Sequence, residues 1–141
     1  MTTNNKDTST AKLVKTAIKA AGNAYAPYSN YPVGAALKAT DGTIYTGCNV
    51  ENAAYPATIC AERTALVKAV SEGQRQFESI AVVSQSGGFP CGTCRQMLYE
   101  FAPDLRVIIA NLEGEIVHDA RLSDLLPHGF GAAQLAETAR K

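Results

Sequence analysis

Three cysteines and a glutamate hold the most distinctive chemistry in this chain: Cys60-Ala61-Glu62 and, further along, Pro90-Cys91-Gly92-Thr93-Cys94. In a reducing compartment, close-spaced thiols read as metal ligands rather than disulfides. Three thiolates are one short of a closed tetrahedral zinc site. A zinc ion with three protein ligands keeps its fourth position for water, which is the layout of a catalytic centre. Glu62, two residues from the first thiol, is placed to carry protons to and from that water. The i, i+3 spacing of Cys91 and Cys94 puts both sulfurs on one face of a helix's first turn, and the same stripe continues through Leu98 and Phe101. Cys60 opens the preceding helix in the same way. The partial positive charge of a helix N-terminus favours thiolate over thiol.

Three thiolates outweigh Zn²⁺ by one unit of charge and weaken it as a Lewis acid. Arg63 and Arg95 adjoin the two motifs, and at least one is expected to hydrogen-bond a ligand sulfur and offset that excess. Other readings stand open. Cys48 could close a four-cysteine structural site, or it could be a small apolar residue at a strand end. Cys91 and Cys94 alone could be a redox pair, which a third cysteine in C-x-E argues against. Glu62 alone could be a first-turn carboxylate that complements the helix dipole. His118 and His128 adjoin no motif and are expected on the surface or in loops. Gly87-Gly88 is not a phosphate loop, because no Lys-Ser/Thr follows at the required spacing. Tyr25, Tyr28, Tyr31 and Tyr55 cluster in the two loops before the first cysteine motif. Beside Asn49 and Glu51, they point to a pocket for a flat ring and a hydroxylated sugar.

The elements that must position these residues follow from periodicity. Leu13, Val14, Ala17, Ile18 and Ala21 share one face of a first helix, and Gly22-Asn23 stops it. Val33 to Thr40 reads as a strand, Asp41-Gly42 as a hairpin turn, and Thr43 to Cys48 as the returning strand. A helix is expected from Cys60 to Glu72, a buried strand at Ile80 to Ser84, a helix from Cys91 to Phe101, and strands at Arg106 to Ala110 and Glu115 to Asp119. A helical turn at Ser123 to Leu126 and a last helix from Ala132 complete the chain. A helix between the third and fourth strands implies a right-handed crossover and parallel pairing; the tight turn Asn111 to Gly114 implies antiparallel pairing of the fourth and fifth. The expected architecture is α/β, a mixed five-stranded sheet with helices on its faces.

The chain has 141 residues, enough for one domain, residues 1–141, with residues 1–10 expected as a flexible tail. Lys plus Arg equals Asp plus Glu, so the net charge is zero and the basic excess of a nucleic-acid-binding protein is missing. Met1 to Thr10 lacks the apolar run of a signal peptide, and no stretch is long enough to span a bilayer. The expectation is cytoplasmic residence, a small weakly charged substrate, and neither nucleic acid nor membrane as partner.

The motifs resemble the cytidine deaminase family over nearly the whole chain. Ala24-Tyr25-Ala26-Pro27-Tyr28-Ser29 and Val33-Gly34-Ala35-Ala36-Leu37 look like its opening segment, and Gly47-Cys48-Asn49-Val50-Glu51-Asn52-Ala53 like its ribose-binding stretch. Cys60-Ala61-Glu62-Arg63-Thr64-Ala65 and Pro90-Cys91-Gly92-Thr93-Cys94-Arg95-Gln96 look like its zinc segments, and Leu125-Leu126-Pro127 with Phe130 like its C-terminal signature. The resemblance implies a three-layer α/β domain that hydrolyses cytidine and deoxycytidine to uridine and deoxyuridine in pyrimidine salvage. It implies one Zn²⁺ per subunit on Cys60, Cys91 and Cys94, with Glu62 as proton shuttle. It also implies Asn49 and Glu51 on the ribose hydroxyls, the Ala61 backbone at the base, and Tyr31 against the base where many relatives carry Phe. Members with cysteine as first ligand are typically homotetramers; by that likeness Ala53, Tyr55 and Phe130 would reach a neighbouring subunit's site. Within the same chemistry, a deaminase of another cytosine-bearing small molecule is the nearest rival. From another class, the rival is a non-catalytic zinc-stabilised module.

Overall fold

The computed structural model describes the backbone of residues 5–139 and the side chains of residues 8–136. In chain order the elements are α1 (Asn5–Ala21), β1 (Gly34–Ala39), β2 (Ile44–Cys48), α2 (Ala61–Ser71), β3 (Phe77–Ser84), α3 (Gly92–Phe101), β4 (Arg106–Asn111), β5 (Ile116–Arg121), α4 (Leu122–Leu125) and α5 (Ala132–Ala139). A single 3-10 turn over Tyr55–Ala57 lies in the loop before α2.

The strands form one sheet in the order β2-β1-β3-β4-β5. Only β3 and β4 run parallel; the other neighbours are antiparallel. This is the mixed five-stranded sheet expected from the spacing, with α3 as the crossover. Alternate residues feed two cores. Leu37, Ile80, Val82, Val107 and Ile109 face α2 and α3, while Ala36, Ala81, Val83, Ile108 and Ala110 face α1. Because both faces are covered, the central strands are apolar without alternation. The helix stripe Leu13, Val14, Ala17 and Ala21 is buried against the second of these cores.

Two glycines let the helices close on the sheet. A Cβ at Gly34 would stand 2.0 Å from the Ala17 carbonyl oxygen on α1, and one at Gly47 would stand 2.5 Å from both the Ala61 carbonyl oxygen and the Ala65 amide on α2. Gly47 therefore sets how near the first turn of α2, with its cysteine and glutamate, lies to β2.

Two boundaries lie three or more residues from expectation. Helix α1 begins at Asn5, so residues 5–10 are not a tail, and residues 1–4 lie outside those described. The helix's polar Ser9 and Thr10 meet a polar patch of the sheet: Lys38 donates to Ser9 Oγ at 3.0 Å, and Arg106 donates to the buried Thr10 hydroxyl at 3.1 Å. Strand β3 starts at Phe77, not Ile80. Glu78 and Ser79 interrupt the apolar run, yet the ladder continues through Lys38↔Ser79 and Ser79↔Arg106, and Glu78 pairs with Lys38 at 3.2 Å.

Candidate active site

Cys60 and Cys91 are the residues just before α2 and α3, in extended conformation, and neither side chain caps its own helix. Both thiols are thus free to turn toward the gap between the two helix N-termini. Cys94, on the first turn of α3, is fully buried and points to the same place. The three sulfurs lie within 4.8 Å of one another, with Cys60–Cys91 at 3.8 Å and Cys91–Cys94 at 3.3 Å. Tetrahedral zinc–sulfur bonds of about 2.3 Å place ligand sulfurs about 3.8 Å apart, so the set fits a zinc ion. Cys48 is not in the group, which excludes the closed four-cysteine site among the described residues.

The electrostatics match that donor set. The Cys60 thiol is drawn down to about 5, first by the hydrogen bond from Cys94 and then by Arg63. The Cys94 thiol is pushed up by the same pairing with Cys60 and by burial. One sulfur ionises and holds back its neighbour; a divalent cation held by Cys60, Cys91 and Cys94 would let all three ionise. Arg63 Nη2 donates to Cys60 Sγ at 3.5 Å and to the Thr58 carbonyl at 3.2 Å. Arg95 turns elsewhere: its Nε donates to the Pro90 carbonyl and its Nη1 to the Leu125 carbonyl, both at 2.7 Å. Of the two arginines beside the motifs, only Arg63 reaches a ligand sulfur.

Glu62 sits on the first turn of α2 and is 4 % exposed. Burial pushes its carboxyl up to about 7. It shares a cavity of about 200 Å³ with Cys60, Cys91, Tyr31 and Asn49. Larger cavities, of about 470 and 740 Å³, flank α1 on the other face of the sheet and contain none of these groups.

The loops bearing Asn49 and Glu51 are tied on both sides. Tyr25 N donates to the Asn49 carbonyl and Glu51 N to the Tyr25 carbonyl, while Val50 and Ile59 exchange both backbone bonds just ahead of Cys60. Asn49 Oδ1 accepts from Val33 N, and its Nδ2 donates to the Tyr31 carbonyl, both at 2.9 Å. Glu51 Oε1 accepts from the amides of Tyr28 at 3.0 Å and Ser29 at 3.1 Å, and its Oε2 accepts from the Ser29 hydroxyl. Those bonds, the Ser29 hydroxyl foremost, hold the Glu51 carboxyl below its ordinary value. An ionised carboxylate offers about four lone-pair sites, so one remains for a ligand hydroxyl. Glu51 lines a second cavity of about 360 Å³ with Tyr28, Tyr55 and Thr58; Thr58 also lines the first, so the two adjoin.

Tyr31 lines the first cavity, but its hydroxyl is engaged by Ser84 and Ser86. Ala61 is fully buried at the start of α2. Ala53, Tyr55 and Phe130 do not line the cavity with the cysteines: Tyr55 is 71 % exposed, edge-on to Tyr28 with ring centres 5.9 Å apart, and Phe130 is 55 % exposed. Ser84, Phe89 and Thr58 line that cavity without having been singled out from the sequence. Phe89 directly precedes Pro90-Cys91, and that adjacency was the available signal. Nothing local marks His118 on β5, whose ring centre lies 4.4 Å from that of Phe89.

Residues 7–111 match the family model described as the cytidine and deoxycytidylate deaminase zinc-binding region. A cytidine deaminase of Sporosarcina psychrophila is 49 % identical over 133 residues, covering 92 % of this chain and 97 % of that protein. One of Halalkalibacterium halodurans is 48 % identical over 126 residues, covering 87 % of this chain and 95 % of that protein. Among solved structures, the cytidine deaminase of Burkholderia pseudomallei superposes with a TM-score of 0.80 at 47 % identity, covering 84 % of this chain and 97 % of that one.

Proposed function

The chain belongs to the cytidine and deoxycytidylate deaminase family, and on that premise we propose that it hydrolyses the exocyclic amine of cytidine and deoxycytidine, giving uridine or deoxyuridine and ammonia. The observation that carries this reading is the meeting of three thiols within 4.8 Å, two of which, Cys60 and Cys91, line one cavity with the buried Glu62. Cys60, Cys91 and Cys94 hold one zinc ion. Bound zinc supplies acidity, lowering the pKa of a water from about 15.7 toward about 7.

Glu62 takes up the proton that the water gives away and hands it to ring nitrogen N3, which makes C4 electrophilic. Once C4 is tetrahedral, Glu62 carries the remaining water proton to the amino group. Ammonia leaves, and the C4 carbonyl of the product remains. Burial of Glu62 supports this role, since a carboxyl raised to about 7 gives and accepts protons near neutral pH. A positioned acid/base group is worth about 10²–10⁴ in rate. Asn49 and Glu51 hold the ribose hydroxyls, the Ala61 backbone meets the base, and the Tyr31 ring forms its wall. Supporting this, Asn49 lines the cysteine cavity and Glu51 the adjoining one. A carboxylate at the sugar repels phosphate, which favours nucleosides over nucleotides. Arg63 drains charge from Cys60 and keeps the metal acidic.

The working unit is a homotetramer in which Ala53, Tyr55 and Phe130 complete a neighbour's pocket. All three are exposed and none lines the cysteine cavity of its own chain, which supports this. The enzyme acts in pyrimidine salvage in the cytoplasm; no helix among the described residues is long and apolar enough to cross a membrane. The test is the loss of ultraviolet absorbance when cytidine meets zinc-loaded protein, run beside deoxycytidine, deoxycytidylate and free cytosine. Turnover of both nucleosides with little of the nucleotide or the base is expected. No turnover of either nucleoside would refute the reading.

A further inference from the structure

We propose that Tyr31 is a positioning residue whose hydroxyl couples the sugar-binding carboxylate Glu51 to the loop that delivers Cys91. The inference rests on the reading of Glu51 as the ribose contact and extends it to the metal side of the pocket. An unbroken run of hydrogen bonds joins the two. The Ser29 hydroxyl donates to Glu51 Oε2 and accepts from Tyr31 N at 3.0 Å. At the other end of the same residue, Tyr31 Oη donates to Ser84 Oγ at 2.8 Å, and Ser84 Oγ accepts from Gly88 N at 3.1 Å. Gly88, Phe89 and Pro90 lead directly into Cys91.

Donor counting fixes the directions. A phenol or a serine hydroxyl has one proton to give. The proton of Ser29 goes to Glu51, so its oxygen receives Tyr31 N. The proton of Tyr31 goes to Ser84, so Ser86, which also pairs with Tyr31 Oη, must be the donor there. Each link therefore has one way to be made, and Ser84 is a buried acceptor whose two donors come from both sides of the pocket. The Tyr31 carbonyl is held as well, by Asn49 Nδ2 at 2.9 Å. Both proposed sugar contacts thus grip the residue that grips the loop. The loop has other anchors, Gly87 N to the Ser84 carbonyl at 3.3 Å and Arg95 Nε to the Pro90 carbonyl at 2.7 Å. The tyrosine hydroxyl is therefore not needed to build the loop. It makes the loop's position depend on whether a sugar hydroxyl engages Glu51. Phenylalanine keeps the ring as a wall for the base and deletes only the coupling.

The test compares cytidine with 2′,3′-dideoxycytidine, which lacks the hydroxyls that Glu51 would hold, on zinc-loaded full-length protein. The wild type prefers cytidine in kcat as well as in KM. In Tyr31→Phe the preference in kcat shrinks about fivefold, at the lower end of coupling between two sites, while zinc content stays at one per chain. Ser84→Ala cuts the same chain at its next link and gives the same loss, which covers the case of a poorly folded Tyr31 variant. A Tyr31→Phe enzyme that slows both substrates by one common factor, or keeps the full preference, overturns the coupling while leaving Glu51 as the sugar contact. A wild type indifferent to the missing hydroxyls removes the Glu51 reading and the coupling with it.

Discussion

Gly47→Ala is expected to inactivate the enzyme through geometry alone, without replacing a residue of the pocket. The new Cβ would lie 2.5 Å from the Ala61 carbonyl oxygen and the Ala65 amide, where ordinary contact begins at 3.4 Å, so α2 must retreat from β2 by about 0.9 Å. The groups met are helix backbone, so no side-chain rotation relieves the clash. Overpacking of this kind costs about 1–3 kcal/mol, which lowers Tm by on the order of 10 °C in a domain of this size. The same retreat carries Cys60 and Glu62 with it, because both sit at the N-terminal end of α2. A displacement of about 1 Å costs on the order of 10²-fold in rate. The control is Gly34→Ala, whose Cβ meets the Ala17 carbonyl oxygen of α1 at 2.0 Å on the opposite face of the sheet. It should lose at least as much stability. Well below its melting point, however, it should keep most of its turnover, since α1 brings no group to the site. Measuring melting temperature, zinc content and kcat/KM for both variants separates stability from placement. A folded Gly47→Ala enzyme with wild-type kcat/KM would sink the reasoning, as would a folded Gly34→Ala enzyme that is equally inactive.

Three further outcomes follow from individual contacts. Glu51→Ala should raise KM for cytidine by about tenfold or more, as loss of a charged hydrogen-bond acceptor does, and leave free cytosine no better a substrate; an unchanged KM would place the sugar elsewhere. Arg63→Ala should weaken zinc retention against a chelator and lower kcat, whereas Arg95→Ala should act through loop stability, since only Arg63 touches a sulfur. Asp119 is held below its ordinary value by the Arg106 guanidinium, which lies 2.6 Å away. A depressed carboxyl adds stability above its unfolded pKa and loses it as pH falls through the folded value. Asp119→Asn should therefore cost about 0.5 kcal/mol at pH 7, as partly exposed pairs do. The gap should close below pH 3.8 in urea unfolding; a gap that persists there would mean packing, not charge.

Much of the fold was legible because its signals are local. Asp41-Gly42 turns the hairpin with Gly42 at φ +93°, and the two cysteine motifs open α2 and α3 within one residue of the expected starts. The misplaced boundaries share one cause. At Ser9-Thr10 and at Glu78-Ser79, polar side chains satisfy one another across α1, β1, β3 and β4, and no periodicity within one segment records a partner in another. The site divides in the same way. Cys60 with Glu62, and Cys91 with Cys94, are neighbours in sequence before the two pairs become neighbours in space. Ser84 and Thr58 reach the cavity only because the C-terminal end of β3 and the loop before α2 converge on it. Arg63 and Arg95 stand three and four residues after a cysteine, a spacing that puts either on its cysteine's face. The carbonyls of Pro90 and Leu125 decide between them by drawing Arg95 away, and sequence spacing does not reveal those carbonyls.

The central claim is that a zinc ion on three thiols and one buried carboxylate perform the reaction together. Glu62→Gln tests it most directly: purified from zinc-supplemented medium, its bound zinc is counted and its rate of cytidine absorbance loss compared with that of the unmodified protein. One zinc per chain with a rate lower by a factor of about 10² or more is the expected result. A zinc-replete Glu62→Gln enzyme that turns over cytidine at the unmodified rate would contradict it.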